Sequence, residues 1–276
     1  MISKENQKKI SVIMGIYNCA DTLCEAVDSI LAQTYENWQL IMCDDCSQDN
    51  TLEIAKSYAE RFPDKIILIR NEKNLKLSKT LNHCLKYADG EYIARMDGDD
   101  ISVPERFEKQ VDFLENNQKY IVCGSAVIPF DENGEYTVRT YPNQEDPNLK
   151  RECLHATLLC RREMYDRLGG YCEEWFANRC EDQYLWYSLS KNKDMFTYNL
   201  DEPLYKVREN RNTYRRRTLK NAFTTSVCLF KCYRMMRFPI KRYIGVIRPF
   251  GAAILPYKLM KKYHDWLDNK NSKKSD

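Results

Sequence analysis

Between residues 10 and 96 short apolar runs alternate with amphipathic stretches, and that alternation confines the chain to parallel strands joined by helical crossovers. Residues 10–17, 38–43, 65–70 and 91–96 are short and rich in Ile, Leu, Val and Met, the pattern of buried strands. Leu23, Ala26, Val27, Ile30 and Leu31 fall on one helical face behind Asp21, a residue suited to capping. Two further helices are expected over residues 50–62 and 78–88. In such sheets ligands collect outside the carboxyl ends of the strands. The polar residues that follow each strand are therefore the first candidates for a site.

Past residue 120 the pattern changes. Residues 120–130 and 135–141 flank Asp131-Glu132-Asn133-Gly134, a hairpin signal. A strand is expected over 157–161, a helix over 163–168 stopped by Gly169-Gly170, and another helix over 181–191. Charge then divides the chain. Residues 206–263 hold 16 Lys or Arg against one acid, Glu209, whereas residues 1–205 hold 24 basic and 36 acidic side chains, a net of −12. The basic stretch reads as helical over 213–236 and 240–267, with breaks at Pro239, Pro249 and Pro256. An acidic body with a basic tail implies two different jobs.

Several function classes are disfavoured at this level. No run approaches the roughly 20 apolar residues of a spanning helix, and residues 1–5 show no signal-peptide core. The expectation is a cytoplasmic protein, free or peripheral to the membrane. There the 12 cysteines stay reduced and act mostly as small apolar residues. Cys43-Asp44-Asp45-Cys46 has a redox-like spacing, but it closes a strand instead of opening a helix. Three histidines and no second close cysteine pair argue against structural zinc. An acidic body without a reader motif argues against nucleic acid as a partner.

The sharpest local signal is Met96-Asp97-Gly98-Asp99-Asp100, directly after a strand. In extended chain residues i and i+2 point the same way, so Asp97 and Asp99 can face one site while Gly98 admits a ligand to the backbone. Carboxylate oxygens suit Mg²⁺ or Mn²⁺, with phosphate oxygens and water completing the shell. An acidic turn in which Asp100 caps the next helix is the plainer alternative. Asp44-Asp45-Cys46-Ser47 also follows a strand, and a carboxylate there can accept hydrogen bonds from a base or ribose. A turn into the next helix explains it equally well. Glu181-Asp182 opens a helix, where the dipole favours the anion; Asp182 is either a cap or a general base.

In order and spacing these segments resemble the inverting family 2 glycosyltransferases of bacterial surface-polysaccharide type. The resemblance runs over residues 10–210. It is carried by Val12-Ile13-Met14-Gly15-Ile16-Tyr17-Asn18, Ser29-Ile30-Leu31-Ala32-Gln33-Thr34-Tyr35, Asp44-Asp45-Cys46-Ser47, Gly90-Glu91-Tyr92-Ile93-Ala94 and Asp97-Gly98-Asp99-Asp100. His155-Ala156-Thr157, Gly169-Gly170-Tyr171 and Glu181-Asp182 continue it. It implies an α/β chain with the GT-A nucleotide-diphospho-sugar transferase fold, a mostly parallel central sheet flanked by helices. Residues 1–210 would form the catalytic domain, 10–100 its nucleotide-binding half and 101–210 its acceptor half. Residues 211–276 would form a basic helical extension, either lying at an anionic membrane surface on the inner face of the cell membrane, which the resemblance favours, or packed on the acidic body as a helical subdomain.

The resemblance also implies roles. Gly15, Tyr17 and Asp44 would line the base and ribose pocket, Asp97 would contact ribose or metal, and Asp99 would coordinate the Mn²⁺ or Mg²⁺ that bridges the diphosphate. Asp182 would be the base. The donor would be a nucleotide sugar, with UDP favoured, and the acceptor a lipid-linked saccharide. From their chemistry alone, Arg208, Arg211 and Arg215 read either as stabilising the leaving group from a closing loop or as plain surface charge. His155 would either contact the acceptor or leaving phosphate or pack in the core. Cys46 and Lys76 stand where glycine is usual, and Gly15 where proline or another small residue is commoner. A sugar-phosphate nucleotidyltransferase would begin with a Gly-Thr-Arg loop, absent here. A non-catalytic sugar-nucleotide-binding scaffold would not need Asp97, Asp99 and Asp182 together.

Overall fold

The computed structural model describes residues 7–144, 146, 149–209 and 218–254. Strands β1 (Ile10–Ile16), β2 (Trp38–Asp44), β3 (Ile66–Arg70) and β4 (Tyr92–Arg95) are parallel neighbours in the order β3-β2-β1-β4. Helices α1 (Leu23–Leu31), α2 (Thr51–Arg61) and α3 (Leu77–Leu85) make the crossovers. The expected elements are all present, with ends shifted by one to three residues. Asp21 does not cap α1; Thr22 takes that position, and its hydroxyl donates to the Gly98 carbonyl at 2.8 Å instead. That bond ties the start of α1 to the end of β4.

Strand periodicity sorts the core onto two faces. Ile10, Val12, Met14 and Ile16 of β1 pack with Leu23, Ala26, Val27 and Ile30 of α1. Ile13 faces the other side with Ile41, Leu81 and Cys84. Every one of these side chains is fully buried, and each Ile or Leu contributes about 1.5–3 kcal/mol by leaving water.

The second half extends the same sheet. β5 (Ile101–Ser102), α4 (Arg106–Asn116), β6 (Tyr120–Asp131), β7 (Gly134–Glu135), β8 (Leu159–Arg161), α5 (Glu163–Leu168), α6 (Glu181–Lys191) and β9 (Phe196–Arg208) follow in turn. The sheet order beyond β4 is β8-β6-β9-β5, with β6 and β9 parallel and the other pairs antiparallel. The structure is therefore the GT-A type of mixed sheet flanked by helices. The hairpin after β6 is smaller than expected, with two paired residues in β7 and one further bridge between Val127 and Arg139.

Strand β9 escapes sequence periodicity because Asp201-Glu202-Pro203 interrupts it like a turn. Those residues fall at a break in the β6–β9 register, between the Ser125–Leu200 and Ala126–Pro203 pairs, where a bulge tolerates proline.

The basic extension starts inside the fold. Helix α7 (Leu219–Met235) is capped by the Thr218 hydroxyl, which accepts from the Asn221 amide at 3.2 Å. Cys228 and Cys232 of α7 are buried with Phe176, Cys180 and Tyr187 against α6. Residues 240–267 are expected to be helical with breaks at Pro249 and Pro256; a 3₁₀ segment, Ile240–Ile247, gives way to α8 (Arg248–Ile254) one residue before Pro249. Pro249 sits in the first turn of α8, where its missing N–H costs nothing. Residues 255–267, and Arg211 and Arg215, lie outside the described residues.

Candidate active site

The carboxyl ends of β1, β2 and β4 meet on one edge of the sheet, and the predicted residues gather there. After β4 the carboxylates of Asp97, Asp99 and Asp100 bring one oxygen each within 4.8 Å of the others. Asp100 thus joins the pair that the i, i+2 spacing selects. It does not cap α4, which starts at Arg106; one of its oxygens accepts the Arg208 amide at 2.8 Å. Gly98 is needed for a protein neighbour: a Cβ there would lie 2.9 Å from the Cys19 sulfur and 3.3 Å from Ile16. The close packing pulls the Asp97–Asp100 turn down onto the end of β1.

The electrostatics of the cluster follow from crowding. Asp99 is exposed, yet partial loss of water and the charge of Asp97 raise its pKa. Asp100 is buried, and burial followed by Asp97 and Asp99 raises its pKa further. Protonation or a cation relieves this repulsion. Three hard oxygen donors so placed fit Mg²⁺ or Mn²⁺ and suit softer, thiolate-loving metals poorly.

Two arginines frame the acids. Arg95, on β4, is buried and pairs with Asp97, which with nearby ionisable neighbours holds its pKa above the usual arginine value despite burial. Its Nε has no hydrogen-bond partner among the described residues. Sequence analysis passes over Arg95 because it lies inside an apolar strand; an arginine in such a strand is itself the signal that could have found it. Arg208 is expected on a closing loop, but it is the last residue of β9. Its Nε donates to the Asp99 carbonyl at 2.9 Å, its guanidinium pairs with Glu25 and lies 4.5 Å from the Phe130 ring centroid. Strand pairing, not loop closure, holds it there.

Helix α6 brings its first turn to the same acids. Glu181 feels the charges of Asp182, Arg95 and Asp97, and burial raises its pKa. Asp182 is half-buried, with one oxygen accepting the Gln183 amide at 2.7 Å. His155 is a core residue. It is buried edge-on to Trp186, its Nε2 is 2.8 Å from the Tyr171 hydroxyl, and burial beside Arg95 holds its pKa well below the usual histidine value.

At the other end of the edge, Tyr17 is 48% exposed just past β1. Gly15 faces α3, where a Cβ would come 3.2 Å from both Leu77 and Thr80. Asp44 is fully buried, with its oxygens accepting the Ser47 amide at 3.2 and 3.3 Å and Arg70 Nε at 3.2 Å. It shapes the turn that follows β2. A cavity of about 330 Å³ between α3 and α5 is lined in part by Asn82, Lys86, Arg162 and Glu173 and contains none of the acids above.

The chain is similar to known glycosyltransferases in sequence and in fold. Residues 11–181 match the model of glycosyl transferase family 2. EpsE of Bacillus subtilis, provisionally named a glycosyltransferase, is 42% identical over 259 residues, covering 93% of each chain. The Escherichia coli protein WfgD is named a UDP-Glc:α-D-GlcNAc-diphosphoundecaprenol β-1,3-glucosyltransferase. It is 30% identical over 192 residues, 69% of this chain and 73% of its own. The fold is similar to that of the mannosyltransferase PcManGT from Pyrobaculum calidifontis, solved with GDP-Man and Mn²⁺, at a TM-score of 0.64 and 17% identity; the match covers 96% of this chain and 81% of that one.

Proposed function

Because the chain belongs to glycosyl transferase family 2, we propose that its acid-lined edge transfers a sugar from a UDP-sugar to a hydroxyl of a lipid-linked saccharide, with inversion. One observation carries this reading: Asp97, Asp99 and Asp100 cluster at the end of β4 within the electrostatic reach of the α6 start. In this reading Asp97 and Asp99 hold Mn²⁺ or Mg²⁺, which supplies charge neutralisation for the departing diphosphate. Gly15, Tyr17 and Asp44 border the base and ribose end. Asp182 accepts the proton of the attacking hydroxyl. Arg208 adds a fixed positive charge beside Asp99. The acceptor class rests on the name of WfgD and on no contact in this chain.

The test is a panel of nucleotide sugars offered with Mn²⁺. A UDP-sugar is expected to bind in a metal-dependent way and to hydrolyse slowly without acceptor. Failure of every donor to bind or turn over would refute the enzyme reading and favour a scaffold.

A lipid-linked acceptor calls for a membrane-surface enzyme, and the extension supports one. Among the described residues no helix is long and apolar enough to cross a membrane. Residues 219–254 carry seven basic side chains and no acid. Ile240, Ile244 and Ile247 are 82, 73 and 63% exposed, interleaved with the exposed Lys241, Arg242 and Arg248. Apolar groups at interface depth, with cations beside anionic headgroups at about 1 kcal/mol each, would hold the protein at a membrane surface. The full chain is expected to sediment with anionic liposomes at low salt and release at high salt. Replacing Ile240, Ile244 and Ile247 together by serine should remove most of that binding. Unchanged sedimentation of the triple variant would assign these residues no membrane role.

A further inference from the structure

Lys76 holds a backbone conformation that is almost restricted to glycine, with φ 74° and ψ 164°. A side chain there is a local cost that surrounding structure must impose. Asp45 imposes it: one of its oxygens accepts the Leu75 amide at 2.7 Å and Asn71 Nδ2 at 2.9 Å, and the other accepts the Lys76 amide at 3.0 Å. Glycine would occupy the same turn without strain. The Lys76 side chain is exposed, and among the described residues its ammonium has no hydrogen-bond or ion-pair partner. Among the described residues no contact of the Lys76 side chain offsets that strain.

The placement of Lys76 points outward to a ligand. Asn18, Cys46 and Lys76, all non-glycine residues at positive φ, sit on the segments that follow β1, β2 and β3. Lys76 is next to Leu77, which touches the space left by Gly15, and it is anchored on Asp45 beside Asp44. In the order β3-β2-β1-β4 this loop lies at the end of the sheet edge away from the β4 acids. Strands are about 4.8 Å apart, so β2 sits about 10 Å from β4, which leaves room for an extended ligand between this loop and the acids. An ammonium offers three donors and no acceptor. It favours a base edge presenting a carbonyl oxygen and disfavours one presenting an amino group.

We propose that Lys76 selects the donor nucleotide, its ammonium hydrogen-bonding O4 of the base, the position where cytosine carries an amino group, and so favouring uracil over cytosine. This inference rests on the donor site proposed above and adds the group that reads the base.

The experiment measures binding of UDP, CDP and uridine to the full chain with Mn²⁺, for the wild type, Lys76→Gly and Lys76→Ala, together with Tm. Lys76→Gly relieves the strain and is expected to raise Tm by about 2–4 °C. The same variant should weaken UDP and uridine about tenfold, and CDP by less than about twofold. Lys76→Ala keeps the Cβ and should show the same binding loss without the gain in Tm. If Lys76→Gly gains stability and both variants bind UDP as the wild type does, the inference is overturned and Lys76 is a strained, solvated lysine. A loss for UDP without one for uridine moves the contact to the diphosphate and also overturns it. A wild type that binds no nucleoside diphosphate refutes the donor site itself, a separate and recognisable failure.

Discussion

Chelating divalent metal is expected to abolish sugar transfer, and Mn²⁺ or Mg²⁺ to restore it. The expectation comes from three carboxylates whose oxygens lie within 4.8 Å of one another, an arrangement that repels itself unless neutralised. Asp99→Ala should weaken UDP more than uridine, because only the diphosphate shares the cation. The pH dependence has a definite sign. Burial and neighbouring acids raise the pKa values of Asp99 and Asp100 in the folded state. Without metal, these groups therefore cost stability while ionised, and the protein gains stability as pH falls through their raised values. Protons compete with the cation in that window, so more metal is needed for half-maximal activity as pH falls. Full transfer in excess chelator would sink the metal assignment.

Asp182→Asn should keep the fold and donor binding but lose transfer by on the order of a hundredfold or more, the effect of a missing general base. Asp182 opens α6 next to Glu181, which shares the field of Arg95 and Asp97. Glu181→Gln is therefore the necessary companion measurement. A larger loss there, with Asp182→Asn transferring sugar at the wild-type rate, would move the base to Glu181. Single-turnover rates with saturating donor separate a lost proton acceptor from a lost binding contact.

The first half of the sheet was legible because its determinants are local. Residues Ile10, Val12, Met14 and Ile16 alternate faces within one strand, and Leu23, Ala26, Val27 and Ile30 share one helical face. Those periods need no knowledge of what packs against them. The Asp97–Asp99 spacing was readable for the same reason. The part played by Asp100 was not, since it depends on β9 delivering the Arg208 amide across 108 residues of sequence. Nor was the strand itself, because Pro203 and its acidic neighbours look like a turn until β6 supplies a bulge.

The basic extension divides along the same line. Its charge and apolar content were countable in the sequence, and both a membrane face and a packed subdomain fitted them. Packing assigns Cys228 and Cys232 to a core shared with α6 and leaves Ile240, Ile244 and Ile247 in solvent.

By itself the sequence determined the alternating strands and helices of residues 10–96, the acids at the strand ends and the polarity of the chain, all readable from local pattern and composition. Only the tertiary structure decided that Gly98 makes room for Cys19, that Arg95 is buried against Asp97, and that His155 is a core histidine. Each of these depends on a partner distant in sequence, Cys19 for Gly98 and Trp186 and Tyr171 for His155, or on the fold that closes Arg95 against Asp97, and local periodicity does not reveal such partners.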